Sequence, residues 1–151
     1  MDPYHRASML VPFASVPDVL RSAIARVADV PDDQQVLVTT ATRTEKPSFF
    51  GKLFGSGPPA ELRVALVHLG ESVVLATHGE PGATPAWRLP FASLKVTEPP
   101  TVPGVALPVG LTLVSPLLGA QDGSPGSYGV FVGPQPEAAA FLERVRAAAR
   151  G

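Results

Sequence analysis

The sequence predicts an α+β protein that is mostly β and ends in a helix. Its 18 prolines and 14 glycines are spread along the 151 residues, so they divide the chain into many short elements. The segments between them are rich in β-branched residues, whereas residues 135–150 carry apolar side chains at helical spacing. We therefore expect seven short strands, a C-terminal helix that covers them and one additional helix near the N-terminus.

The composition is that of a single globular domain. One domain commonly has ~100–200 residues, and 45% of this chain is hydrophobic while 17% is charged. The net charge of −1 provides no basic excess with which to bind nucleic acid. The chain has no cysteine, which excludes disulfides and thiolate metal ligands.

No segment has the pattern of a targeting or membrane-spanning sequence. The N-terminus contains only a short apolar patch, Met9 to Ala14, with no cluster of positive charge before it. The longest apolar region is broken by Pro103, Pro108 and Pro116, whereas a membrane-spanning helix needs roughly 18 uninterrupted apolar residues. We expect a cytoplasmic protein.

Residues 15–28 are predicted to form a helix within an N-terminal extension, residues 1–35, that precedes the main domain, residues 36–151. Ser15 can cap the helix, and Pro31 ends it. Five apolar residues share one face: Val16, Leu20, Ala23, Ile24 and Val27. This stripe packs either on the sheet of its own domain or on another protein or a second copy, which would make a homodimer.

Seven segments have the composition or the alternation of strands: 36–43, 62–69, 72–78, 86–89, 92–97, 109–115 and 127–132. Gly70 and Glu71 suit a two-residue type II′ turn, so the second and third strands form a hairpin. Pro90 interrupts the alternation, which resumes in another phase, so we expect a corner between the fourth and fifth strands.

The C-terminal helix is predicted over 135–150. Pro136 fits the first turn, where its missing N–H costs nothing, and acidic residues early with basic residues late match the helix dipole. Its apolar stripe consists of Ala138, Phe141, Leu142, Val145, Ala148 and Ala149. This stripe should cover the sheet.

This order of elements, with the run of two strands, Trp87 and an apolar corner over 62–94, resembles bacterial pleckstrin-homology-like domains of the GRAM type. The resemblance covers residues 36–150. It implies a seven-stranded, bent antiparallel barrel whose open end is plugged by the C-terminal helix, with Phe141, Leu142 and Val145 in the core. Many such domains carry a tryptophan on this helix, and here Phe141 would have to fill that volume.

Members of that family that bind phosphoinositides place basic residues at the end of the first strand and in a Lys/Arg-x-Arg pair on the second. Arg43 and Arg63 stand at the matching positions, but Ala65 replaces the second basic residue of the pair. Recognition of several phosphates depends on several charge-assisted contacts. Tight inositol-phosphate binding is therefore not expected.

The best candidate for a binding site is the connection between the first two expected strands, residues 44–61. It alternates large apolar and basic side chains: Lys46, Phe49, Phe50, Lys52 and Phe54. The phenylalanines either fold back over the barrel, contact a protein, or insert at an anionic lipid surface with help from the lysines.

Catalytic and metal-binding patterns do not stand out. His68 and His78 fall on paired strands but far out of register, and His5 lies elsewhere in the chain. No Gly-x-Ser-x-Gly sequence is present, and Trp87, between apolar neighbours, favours a core position. We expect neither a metal nor a cofactor, and an enzyme is only the third hypothesis.

The expected function is that of a non-catalytic binding or scaffolding domain that contacts a protein through residues 44–61 and the N-terminal helix. The alternative is a lipid-binding module that docks at the inner face of the membrane through Phe49, Phe50 and Phe54.

Overall fold

The structure, a computed structural model, describes residues 4–43, 61–79, 84–98, 109–118 and 126–150. These residues contain two helices and eight strands, which confirms an α+β fold that is mostly β. In chain order the elements are β1 (Tyr4–Pro12), α1 (Asp18–Ala25), β2 (Gln35–Arg43), β3 (Glu61–His68), β4 (Ser72–Gly79), β5 (Ala86–Pro90), β6 (Lys95–Thr97), β7 (Gly110–Ser115), β8 (Gly126–Phe131) and α2 (Pro136–Arg150).

The strands form two antiparallel sheets. The larger sheet has five strands in the order β1-β2-β3-β4-β5, and the smaller has three in the order β6-β7-β8. The expected seven-stranded barrel is not confirmed, since the described strands form no closed barrel. The predicted corner separates the sheets: Pro90 ends β5, and a 3₁₀ turn, Phe91–Ser93, leads to β6.

All seven expected strands are present in the expected order, and β1 is an additional one. It pairs with β2 over its whole length, from Tyr4 opposite Arg43 to Pro12 opposite Gln35. Its sequence shows only an apolar patch after a polar start, and this is not the alternation by which a strand is recognised. Part of the expected N-terminal extension is thus a strand of the larger sheet.

The N-terminal helix is shorter than predicted, and Ser15 does not cap it. Ser15 lies in a 3₁₀ turn, and the residue before α1 is Pro17, which makes no side-chain cap. Arg21 instead pairs with Asp18 in the first turn and donates to the Ala14 carbonyl at 2.8 Å. These contacts hold the start of α1 against the turn that precedes it.

The five-stranded sheet is buried on both faces. One face packs against the smaller sheet and α2, through residues that include Leu37, Leu66, Leu75, Leu111, Leu113, Phe141 and Val145. The other packs against α1, through Leu20, Ile24, Val36, Ala65, Val67 and Val74. The apolar stripe of α1 therefore packs on the sheet of its own chain.

The C-terminal helix is confirmed and begins at Pro136, one residue after the predicted start at 135. Its residues Ala138, Phe141, Leu142 and Val145 are buried, with Phe141 only 2% exposed. Arg146 at the other end of the helix pairs with Glu98, which follows β6, at 2.7 Å. The core position of Phe141 is confirmed, whereas a barrel end for it to plug is not.

The hairpin between β3 and β4 is confirmed, but its turn is not of type II′. The Leu69 N–H donates to the Ser72 carbonyl at 2.8 Å across the two-residue turn. Gly70 lacks the positive φ that the first position of a type II′ turn requires.

Candidate functional site

The two predicted site residues that the structure describes lie at one end of the larger sheet. Arg43 is the last residue of β2, and Arg63 is the third residue of β3, where it lies opposite Thr40. Thr42 and Glu61 are the last residues that pair between β2 and β3 at this end. Lys46, Phe49, Phe50, Lys52 and Phe54 lie outside the described residues.

Three side chains line up across the larger sheet next to this end, and we call Thr40, Arg63 and His78 the polar row. Thr40 lies opposite Arg63, and Arg63 lies opposite His78, so all three share one face of the sheet. All three are half-buried. It is the face that α1 covers further along, where the side chains are apolar and buried.

Arg26, which follows α1, marks the border between the covered part of this face and the polar row. Its guanidinium donates to the Thr84 carbonyl at 3.1 Å. The Thr84 hydroxyl lies 2.8 Å from Nδ1 of His78. The end of the helix is thereby joined to the side of the row that β4 provides.

The charge of Arg63 is balanced by a neighbour. Its Nε donates to Oε1 of Glu61 at 2.8 Å, and both side chains are about two-fifths exposed, at 40% and 44%. An exposed pair of this kind contributes about 0–1 kcal/mol to stability. The row therefore offers hydrogen-bond donors and an imidazole rather than a strong positive field.

The structure also explains why a basic pair on β3 is absent. Ala65, which replaces the second basic residue, is fully buried in the core between the sheet and α1. An arginine there would place a charge in an apolar layer, at a cost of several kcal/mol. The geometry of β3 thus leaves Arg63 as the one basic position of that motif.

The histidines are far apart, as the sequence predicts. His68 lies opposite Val73, whereas His78 lies opposite Arg63 at the other end of the same strand pair. His68 instead makes a tilted ring contact with Phe91, with the centroids 5.4 Å apart. Among the described residues no three or more His, Cys, Asp or Glu side chains group as metal ligands would.

Trp87 is half-buried and packs against the core between the two sheets, which confirms its predicted position. In β8, Tyr128 packs against the same core, and burial raises the pKa of its hydroxyl above the ordinary value of 10.0. Both residues are part of the core rather than of the polar row.

An open groove at the opposite end of the larger sheet was not indicated by any sequence pattern. It has a volume of about 830 Å³ and lies between the Gly70-Glu71 turn, the corner at Pro90 and Phe91, and the end of α2 at Ala149. Three segments that are distant in the sequence form it, so only the fold reveals it. Its polar lining includes Arg88, whose Nε donates to the Ser72 hydroxyl at 3.2 Å.

Comparison of the chain with protein-family models, with curated protein sequences and with solved structures gave no match. Within the described parts of the chain, neither helix has the length and apolar character needed to cross a bilayer.

Proposed function

We propose that this protein is a non-catalytic binding or scaffolding module that contacts a protein partner at the β2–β3 end of the larger sheet. The observation that carries the proposal is the pairing of Thr42 with Glu61. Because these two residues are neighbours, the segment 44–60 leaves and rejoins the sheet at one place. That place lies beside the polar row.

The strands at this site are a rigid base. β2 and β3 are interior strands of the sheet, and both of its faces are packed further along these strands, beyond the polar row. Binding residues are often carried by connections that such a scaffold positions. Phe49, Phe50 and Phe54 would supply the apolar centre of an interface, with Arg63 and His78 at its polar rim.

The N-terminal helix contributes less to this contact than its sequence suggests. Leu20, Ala23 and Ile24 of its apolar stripe are fully buried against the sheet. The partner would therefore meet only the polar outer side of α1, on which Val19 is 37% exposed.

A lipid surface is the alternative partner, and the structure supports it less. Glu61 balances the charge of Arg63, and Ala65 is buried. Attraction to anionic lipid would then depend on Arg43, Lys46 and Lys52, each of which contributes about 1 kcal/mol near such a surface. This is little for stable docking.

The pleckstrin-homology-like relationship is part of the same proposal. The order of the strands from β2 to β8, the corner after β5 and the C-terminal helix over the core support it. Such folds serve many unrelated functions, so the choice of partner depends on the site and not on the fold.

A photo-crosslinking amino acid at position 50, in the full chain expressed in its native host, tests the proposal. The matched control carries it at Leu117, which is 55% exposed in the 3₁₀ turn after β7. We expect a discrete protein adduct from position 50 and none from 117.

The captured protein, once purified, should bind the wild type and lose at least about tenfold in affinity for the Phe49/Phe50/Phe54 triple serine variant. An adduct with lipid alone would support the alternative. No adduct from position 50, or equal adducts from both positions, would contradict the proposal.

A further inference from the structure

The outer side of β1 is one of the two edges of the larger sheet, and a short segment after β8 occupies part of it. Among the described strands β1 pairs only with β2, so alternate N–H and C=O groups point away from the sheet. An unpaired edge is a template on which another strand can add. In this chain the outward N–H of Ser8 already has a hydrogen-bond partner, because it donates to Oε1 of Gln135 at 3.0 Å.

Gly133 to Gln135, which we call the edge guard, is held to β1 by a buried polar cluster. The Gly133 N–H donates to the Ser8 hydroxyl at 2.9 Å, and that hydroxyl lies 2.7 Å from the Thr39 hydroxyl on β2. Ser8 is 5% exposed and Thr39 is 3% exposed. The guard thus replaces the hydrogen bond that a further strand would make at Ser8.

The guard can approach this closely only because residue 133 is a glycine. A Cβ there would lie 2.4 Å from Oε1 of Gln135, 2.7 Å from the Arg6 carbonyl oxygen and 3.1 Å from Cα of Ala7. Cβ contacts under 3.0 Å essentially never occur, and the Arg6 carbonyl is part of the backbone and cannot turn aside as the Gln135 side chain could, so a side chain at 133 would push the segment off the edge. The backbone of the guard therefore lies directly against β1.

The sequence of β1 carries little of the usual protection of an edge strand, since Arg6 is its one charged residue and its proline, Pro12, stands only at the end of the strand. Tyr4–Pro12 contains no lysine and no acidic residue, and Met9 is 58% exposed. If two copies of β1 paired antiparallel about Ser8, Arg6 would lie opposite Leu10 and Met9 opposite Ala7. No like charges would meet directly, and the exposed Met9 would gain an apolar neighbour.

We propose that the edge guard prevents β1 from pairing with β1 of a second copy of this chain. Gln135 is the residue of the edge guard that prevents this pairing. Its side-chain oxygen accepts the hydrogen bond from the Ser8 N–H, the group about which the two copies would pair.

Light scattering across a range of concentrations, combined with hydrogen exchange at the Ser8 amide, tests the proposal in the full chain. The test variant is Gln135→Ala, and the matched control is Gln135→Glu, which keeps an oxygen acceptor. The wild type and Gln135→Glu should have the mass of one chain, 15.7 kDa. At low concentration, where Gln135→Ala is a single chain, its Ser8 amide should exchange about five to ten times faster than in the wild type, the loss of one hydrogen bond. With rising concentration its mass should double and this exchange should slow again, because Ser8 of the second copy then accepts the hydrogen bond.

Two further variants separate edge pairing from general damage to the fold. Gln135→Met keeps the volume of the side chain without its acceptor and should give the same increase in mass. Met9→Lys in the Gln135→Ala background places a cation on the edge and should restore the single-chain mass. The proposal is overturned if folded Gln135→Ala and Gln135→Met stay monomeric, if Met9→Lys does not reverse assembly, or if the wild type already pairs through β1.

Discussion

The hydroxyls of Ser8 and Thr39 lie 2.7 Å apart on the first two strands of the sheet, and the Gly133 N–H donates to the same Ser8 oxygen. One small buried side chain therefore connects β1, β2 and the segment that leads into α2. The cluster is shielded from water, so the loss of one member leaves the others without partners.

Ser8→Ala should lower the free energy of unfolding by about 1–3 kcal/mol, because the Gly133 N–H and the Thr39 hydroxyl lose their shared partner. Urea denaturation measures the change. Ser22→Ala, at an exposed position of α1, is the control and should stay within about 0.5 kcal/mol of the wild type. If Ser8→Ala and Ser22→Ala changed the free energy of unfolding equally, the Ser8 cluster would not contribute to stability.

Phe141→Ala should lower the free energy of unfolding by about 3–5 kcal/mol, because it removes a buried ring from the core beneath α2. Denaturant titration followed by circular dichroism measures the loss. Ala147→Ser, on the exposed side of the same helix, should change stability by less than about 0.5 kcal/mol. A loss from Phe141→Ala as small as that of the control would show that the helix is not needed to complete the core.

The Phe49/Phe50/Phe54 triple serine variant should keep the stability of the wild type, because the proposed role of these rings is to contact a partner. If the rings instead cap the fold locally, their removal should cost several kcal/mol, as large-to-small changes in a core do. Thermal unfolding distinguishes these outcomes.

Co-sedimentation of the wild type and the triple serine variant with anionic liposomes tests the lipid alternative. We expect little sedimentation of either. Strong sedimentation of the wild type that is lost in the triple variant would favour the membrane over a protein partner.

Tyr128→Phe should reduce the loss of stability at alkaline pH. Burial raises the pKa of the Tyr128 hydroxyl in the folded state. As pH rises past about 10, the unfolded chain gives up this proton first, so the folded state binds more protons and stability falls. Unfolding free energies at about pH 9 and about pH 11 should differ less in Tyr128→Phe than in the wild type. An unchanged difference would contradict a raised pKa.

The local elements could be predicted from the sequence because their signals are local. Val36 to Arg43 is rich in β-branched residues, the Gly70-Glu71 pair marks a hairpin, and Pro136 marks a helix start. The strand at Tyr4–Pro12 could not be predicted from the sequence. It begins with polar residues, and it is a strand because it pairs with β2. The packing of α1 on the larger sheet was one of two open alternatives, and burial of Leu20 and Ile24 decides it.

The arrangement of the two sheets and the candidate site depend on contacts between distant residues. The alternation around Pro90 indicates a corner but does not say whether the sheets on its two sides close into a barrel. Arg63 was singled out by its sequence, whereas its neighbours Thr40 and His78 carry no signal of their own. They join it only through the register of three strands.

The edge guard also sets an order of events during synthesis. The first five strands pair with their neighbours in sequence and can form a sheet as the chain emerges from the ribosome, whereas Gln135 reaches Ser8 across 127 positions. The edge of β1 would therefore stay open until residue 135 has been made. If the edge guard acts as proposed, a nascent chain would be open to strand exchange with its neighbours on the same messenger RNA during this interval, and slower translation of the residues between β5 and Gln135 would lengthen it.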